Sequence, residues 1–356
     1  MIASRVSQFS KPSSVSAHGR YILKSIFAAA RPEGLGALVR RSLGTRDMRH
    51  HDPFLLLDEF WVGSKGGFPD HPHRGFETVT YMLSGQMQHE DFSGHKGTIG
   101  PGDLQWMTAG RGIVHCEMPV KDQEDKDKQE GTNDSLTVHG LQLWVNLSRK
   151  DKTCEPQYQD LRDHQIPRVK PTDGVEVKVI AGEAHGVQSK VYTRTPTMYL
   201  DYKMRQNRSI DLSIPKEYGG LVYMLSGRAY FGDGAVTSKP SEQRRHDEQS
   251  DDTKNIVKLN NAPLEPFEGL PYHALILSQD DEADRLRIQT KDEEAHFVVL
   301  TGQPLREPVV QDRLFVLSSM QEVQQTLEDY RQFKNGFENA QTWRSTIAPK
   351  GYRLKF

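Results

Sequence analysis

Two short segments hold residue types whose spacing suits metal chemistry. His71-Pro72-His73 sets two imidazoles at positions i and i+2, and His115-Cys116-Glu117 sets an imidazole and a carboxylate at the same interval. In an extended strand, i and i+2 share a face, so each segment offers two donors side by side. If the two strands are neighbours, His71, His73, His115 and Glu117 converge. Three imidazoles and one carboxylate suit iron(II), with manganese, copper, nickel and zinc less favoured. In an octahedral ion such a set leaves two positions open for water, a substrate or dioxygen. Either pair alone reads better as surface or hydrogen-bonded histidines; together they favour a metal site. Cys116 points the other way from its two neighbours and reads as a small buried residue. Glu77 lies four residues after His73. Strand spacing would put it on the same face, and the preferred reading is a carboxylate that orients an imidazole from behind. A fifth ligand and an ion-pair partner are the alternatives.

These donors need strands to hold them, and the flanking sequence supplies strand signals. Phe76–Leu83 is a β-favouring run closed by Ser84-Gly85. Gly63, Gly66, Gly67 and Pro69 mark a loop before the first histidine pair, and Pro101-Gly102-Asp103 a turn before the second. Leu141, Leu143, Val145 and Leu147 alternate with Gln142, Trp144 and Asn146, the period of a half-buried strand. Near the end, Val323, Leu327, Tyr330 and Phe337 fall on one helical face. Ser319 with Glu322 forms a capping box, and Asn335-Gly336 a stop. This predicts one amphipathic helix over about 320–335, packed on a sheet.

The 356 residues suit two domains. Lys+Arg (46) and Asp+Glu (48) nearly cancel, so the chain lacks the basic excess of a direct nucleic-acid binder. No apolar run approaches the roughly 20 residues of a spanning helix. Two cysteines exclude a disulfide scaffold. Tyr81-Met82-Leu83-Ser84-Gly85 recurs as Tyr223-Met224-Leu225-Ser226-Gly227, which points to duplicated domains. The expected layout is an extension over 1–32, a first barrel over 33–150, a polar linker over 151–171 and a second barrel over 172–356 that carries the helix. Residues 121–134 and 237–255 are too polar to repay ordering and read as solvated inserts. Residues 1–32 contain Arg5, Lys11, Arg20, Lys24 and Arg31 and no acid. They read as a disordered tail or a segment of transit-peptide composition, with Tyr21–Phe27 as a candidate first strand.

Gly67-Phe68-Pro69-Asp70-His71-Pro72-His73-Arg74-Gly75-Phe76-Glu77-Thr78 resembles the first cupin motif as it occurs in the pirin family. Residues 101–113, then His115 and Glu117, and then His139–Asn146 resemble the second. Residues 191–196 and 304–309 resemble the C-terminal half, and the likeness runs over about residues 35–348. The resemblance implies an all-β bicupin: two tandem antiparallel β-barrels of jelly-roll type with a C-terminal α-helix. It implies one Fe2+ in the first barrel on residues matching His71, His73, His115 and Glu117. Ordinary cupins place a ligand histidine where this chain has Trp106. Shifting the first motif by the repeat offset lands on Ser213, Pro215 and Gly219, so the second barrel is expected to be metal-free.

Two functions are implied. One is a quercetin 2,3-dioxygenase, an oxidoreductase that opens a flavonol ring with dioxygen and releases carbon monoxide. Glu117 would take the substrate's hydroxyl proton, with Phe60, Phe68, Met82 and Met107 as candidate pocket walls. The other is an iron-dependent, redox-sensing transcription cofactor of the nucleus that acts through a transcription-factor partner. Arg40, Arg41, Arg46 and Arg49 are then a candidate partner surface, for which a solvated face is the simpler reading. Intact ligands count against a purely structural bicupin. Cytoplasm and nucleus follow from the resemblance, mitochondrion or plastid from the acid-free N-terminus, and a monomer is the default.

Overall fold

The computed structural model describes residues 19–120, 136–233, 265–279 and 283–349. Both polar inserts and residues 1–18 lie largely or wholly outside that set. The first half of the chain runs through β1 (Ile22–Phe27), β2 (Ala30–Glu33), β3 (Leu35–Leu43), β4 (Phe54–His73), β5 (Phe76–Ser84) and β6 (Met87–Asp91). It continues through β7 (Lys96–Ile99), β8 (Leu104–Thr108), β9 (Ile113–Pro119), β10 (Leu136–Asn146) and β11 (Gln157–Leu161). All of these except β1 form one antiparallel sheet in the order β11-β8-β5-β10-β4-β9-β6-β7, with β3 on β4 and β2 on β3. A seven-stranded sheet and a four-stranded sheet make the second barrel. The fold is all-β, two tandem antiparallel barrels with a single α-helix among the described residues.

The glycine-rich stretch expected to be a loop is instead a corner within β4. Phe54–Val62 pairs with β10, and Phe68–His73 with β9. The bend brings backbone so close that a Cβ on Gly66 would stand 2.7 Å from the Leu35 carbonyl oxygen, and Gly67 has φ +137°. Only glycine fits such a turn.

Period-two alternation sends each strand's residues to two different environments. Leu57, Val79, Tyr81, Leu104, Trp106, Leu141, Leu143 and Val145 leave the first barrel and form one cluster with Tyr199, Leu221, Tyr223, Ile276, Val298 and Leu300 of the second. Burying this layer is the main stabilisation between the barrels, at about 25 cal/mol per Å² of apolar area. Polar clasps punctuate it in pairs. Tyr81 donates to Asp201 Oδ2 at 2.5 Å, and Tyr223 donates to Glu59 Oε2 at 2.8 Å. His296 contacts the other oxygen of Asp201 at 2.7 Å, and His139 that of Glu59 at 2.9 Å. The tyrosines are those of the repeated pentapeptide, and the two acids stand at the same offset in the sequence. Burial alone would raise the Asp201 pKa, but the bonds from His296 and Tyr81 hold it below the usual carboxylate range.

Three expectations about domain limits change. β1 pairs with His273–Leu277 of the second barrel, so Tyr21–Phe27 holds a strand, the alternative open in the sequence, and the extension is shorter than residues 1–32. Arg20 is fully buried and donates to the carbonyls of Ala283, Tyr218, Ser278, Pro215 and Lys216. It is a structural plug, not part of an exposed basic tail. The polar linker is paired throughout much of its length: β11 extends the first sheet along β8, and Arg168–Thr172 extends the second.

The helix, α1 (Met320–Arg331), is capped as expected by the Ser319 hydroxyl on the Glu322 N–H. It packs on the first barrel rather than the second. Val323 and Phe337 join Met107, Ala109, Ile113 and Val114 in one apolar cluster. Arg74, one residue after the second histidine, meets Asp329 at 2.8 Å and donates to the carbonyls of Arg111 and Asn335.

Tyr81→Phe removes the donor to Oδ2 of buried Asp201 and leaves His296 on Oδ1. It should lower the unfolding free energy by about 2 kcal/mol, the worth of a hydrogen bond to a charged group, measured by urea denaturation. An unchanged midpoint would show the clasp to be energetically neutral.

Candidate metal centre

Register brings the histidines together. β4 and β9 are antiparallel neighbours with His71 opposite His115, so both side chains and that of His73 enter the first barrel. Their ring centroids are 4.3 Å (His71–His115), 4.7 Å (His71–His73) and 5.1 Å (His73–His115) apart. One donor atom from each lies within 4.8 Å of the other two. All three are buried. Burial, and beside it the mutual repulsion of neighbouring imidazolium charges, pushes His73 and His115 well below the ordinary histidine range, and burial takes His71 to about 4. The rings are therefore neutral at pH 7 and keep lone pairs for a cation.

The tautomer of His71 is set by its surroundings. Its Nδ1 sits 2.8 Å from the Pro69 carbonyl oxygen, which only accepts, so the N–H is on Nδ1. Nε2 then carries the lone pair and points at His115 Nε2, 2.8 Å away. This is the usual way a backbone carbonyl prepares an imidazole for a metal.

Glu117 follows His115 on the same face of β9 and lines the same cavity, but stands outside the tight cluster of three imidazoles. Thr80 donates to its Oε1 at 3.1 Å and Gln142 to its Oε2 at 3.4 Å. Burial raises its carboxyl to about 7, with those two hydrogen bonds opposing the rise.

Glu77 is not behind an imidazole. The Arg74-Gly75 turn between β4 and β5 resets the alternation, so Glu77 shares the outward face of Val79 and Tyr81. Its Oε1 accepts from Thr108 at 2.7 Å. Trp106, at the position where the family resemblance places an ordinary cupin's histidine, lies on that outward face too, within the layer between the barrels. Cys116 is fully buried on the side of β9 away from the histidines.

The cavity above the histidines has a volume of about 890 Å³. Phe60, Phe68, Leu56, Trp144 and Leu314 are among its walls. Of the expected walls, Phe60 and Phe68 are there. Met82 packs behind Phe60, and Met107 lies in the cluster beneath the helix. Thr80, Gln142, Trp144 and the 309–314 segment were not singled out by sequence. The alternation of β10 did carry a signal: Gln142 and Trp144 face the cavity, and Leu141 and Leu143 face the second barrel. Arg40 and Arg41 are not a free surface. Arg40 lies 3.9 Å over the Tyr272 ring, and Arg41 forms a two-pronged pair with Asp58. Arg46 and Arg49 are exposed.

Paired β-barrels of this connectivity define a bicupin, and the three imidazoles converging inside the first are a candidate metal site. The Pirin family model matches residues 36–145, and that of the Pirin C-terminal cupin domain residues 265–336. Pirin of Mus musculus is 46% identical over 334 residues, which cover 93% of this chain and 99% of that protein. A pirin-like protein of Solanum lycopersicum is 42% identical, over 94% of this chain and 99% of its own length. The chain belongs to the pirin family. Among solved structures, a quercetin 2,3-dioxygenase from Acinetobacter baumannii aligns with a TM-score of 0.70 at 27% identity, over 90% of this chain and 99% of that one. The nickel(II) complex of the bacterial pirin YhhW from Escherichia coli shares the fold, with a TM-score of 0.54 at 14% identity over 79% of this chain and 99% of that one.

His73→Ala removes one of the three converging imidazoles. It should weaken divalent-metal binding at this centre by more than the roughly 10–100-fold that loss of an outer partner costs. Anaerobic titration with Fe2+ tests this, and an unchanged affinity would exclude the centre.

Proposed function

We propose that the chain is an iron(II) dioxygenase acting on a flavonol of the quercetin class. The observation that carries this reading is the convergence of three buried neutral imidazoles at the floor of an aromatic-walled cavity. The chain's likeness to a quercetin 2,3-dioxygenase at 27% identity supports it. His71, His73, His115 and Glu117 would hold one Fe2+. Imidazole and carboxylate donors fit that ion, and the tautomer fixed by Pro69 presents the lone pair it needs. When bound, the ion supplies Lewis acidity toward the flavonol hydroxyl and a route for electrons to dioxygen.

The protein's own residues do the rest. Phe60, Phe68 and Trp144 give flat apolar surfaces against which a three-ring flavonol can stack, and the volume falls in the range of small-molecule pockets. Glu117 takes the hydroxyl proton as the general base, with Thr80 and Gln142 fixing its orientation. Both atoms of dioxygen enter the opened product, and the ring carbon that bore the hydroxyl leaves as carbon monoxide. Leu314 and its neighbours close the cavity from the C-terminal side and limit water.

Aerobic turnover of quercetin by iron-loaded protein, followed as carbon monoxide release, tests the reading. Release is expected from the parent chain and should fall at least 100-fold in His73→Ala, about 2.7 kcal/mol of barrier. No release at full iron occupancy would reject the enzyme. Partner binding that differs between ferrous and ferric protein would then become the working function.

A further inference from the structure

A second group of donors, made of other residues than the three imidazoles, lies in the first barrel, with His89 directly across from Glu117 in the β6–β9 pairing. His89 is on β6, His95 is in the turn that leads to β7, and Asp160 is on β11. His89 Nε2 lies 3.6 Å from Asp160 Oδ2, and His95 Nε2 lies 3.4 Å from the same oxygen. One donor atom from each of the three falls within 4.8 Å of the others.

These separations are too long for good hydrogen bonds, which for N–H···O cluster near 2.9–3.0 Å. They do match the edges of a coordination tetrahedron. Donors at 2.0–2.2 Å from a common tetrahedral ion stand about 3.3–3.6 Å apart. His89 is 4% exposed, and neither of its ring nitrogens has a hydrogen-bond partner among the described residues. A buried imidazole with two unmet nitrogens is costly unless something else satisfies it.

The surroundings hold the donors in place. The His95 ring stacks on Tyr158 with centroids 3.9 Å apart and planes 7° from parallel. Gly97, directly across from His89 in the β6–β7 hairpin, keeps open the space beside the donors. A side-chain carbon there would stand 2.8 Å from His89 Nε2 and 3.7 Å from Asp160 Oδ2. The side chains of His95 and Asp160 are about one-third exposed (32% and 33%), which gives an ion a way in and leaves room for a water.

The cluster's position in the fold gives it a purpose. β11 and β7 are the two ends of the first sheet's strand order. Curling of the sheet brings these ends together, and the donors come from both sides of that seam. We propose that His89, His95 and Asp160 form a second metal site, tetrahedral and of the zinc class, with water as the fourth ligand, which staples the closing seam of the first barrel. Two imidazoles, one carboxylate and one water form a normal ligand set for such an ion. The site would tie the β6–β7 hairpin to the strand that leads into the second barrel.

The test uses the full-length chain carrying His73→Ala, which disables the first centre. Titrated with Co2+ as an optical stand-in for zinc, it should still bind one equivalent, with the intense visible absorption of tetrahedral cobalt. Zn2+ should displace the cobalt and raise the melting temperature. Adding His95→Ala should abolish the band and the thermal shift. Adding Asp160→Asn, which keeps size and polarity, should weaken binding at least tenfold; circular dichroism checks that both variants fold. The proposal is overturned if the His73→Ala chain binds no cobalt. It is equally overturned if binding persists unchanged in both added variants.

Discussion

A β-strand has only two faces, and in the first sheet both are committed. One face holds three imidazoles and a carboxylate that line a cavity. The other is a continuous layer of leucine, valine, tyrosine and tryptophan that cannot be left in water. The second barrel follows from that constraint, because its own apolar sheet covers the outward layer. Residues with no part in metal chemistry, such as Val79 and Trp106, thereby fix the registers of β5 and β8. Through those registers they fix Thr80, and through Thr80 the orientation of Glu117.

The reciprocal clasps add specificity to this otherwise non-directional contact. An apolar layer tolerates sliding, but a tyrosine hydroxyl aimed at a buried carboxylate does not. Tyr81 reaches into the second barrel and Tyr223 into the first, so the two sheets can meet in one register only. The repeated pentapeptide is thus more than a trace of duplication. Its tyrosine is the residue that each half uses to hold the other.

Much of this was legible in the sequence. The i, i+2 pairs predicted the shared face of His71 and His73 and of His115 and Glu117, because strand alternation is a local property. The helix and its serine cap were readable for the same reason. What failed depended on long-range geometry. The Glu77 reading assumed unbroken alternation from His73, and the turn at Arg74-Gly75 interrupts it. The glycines before His71 look like a loop because the same residues serve a loop and a strand corner. Arg20 looked like part of a basic tail because nothing nearby in sequence reveals five carbonyls supplied from residues 215–283. The amphipathic pattern of the helix says which of its faces is buried but not which barrel covers it. Gln142 and Trp144 were visible as an alternating strand. Which of its faces met the cavity was decided only by the layer between the barrels.

The two ends of the described chain are exchanged between the barrels. β1, from the start, is a strand of the second barrel's sheet, while residues 309–331 return to wall the cavity and roof the first. Order of synthesis therefore differs from order of completion. The ribosome delivers every imidazole of the metal centre in the first third of the sequence, yet Val309, Leu314 and the helix emerge last. A nascent first barrel has its donors in register but lacks one wall, and β1 must wait beyond it for strands not yet made. Cutting the chain at the linker would yield two fragments, each lacking a piece carried by the other, and the smallest unit that can finish the cavity is the whole pair.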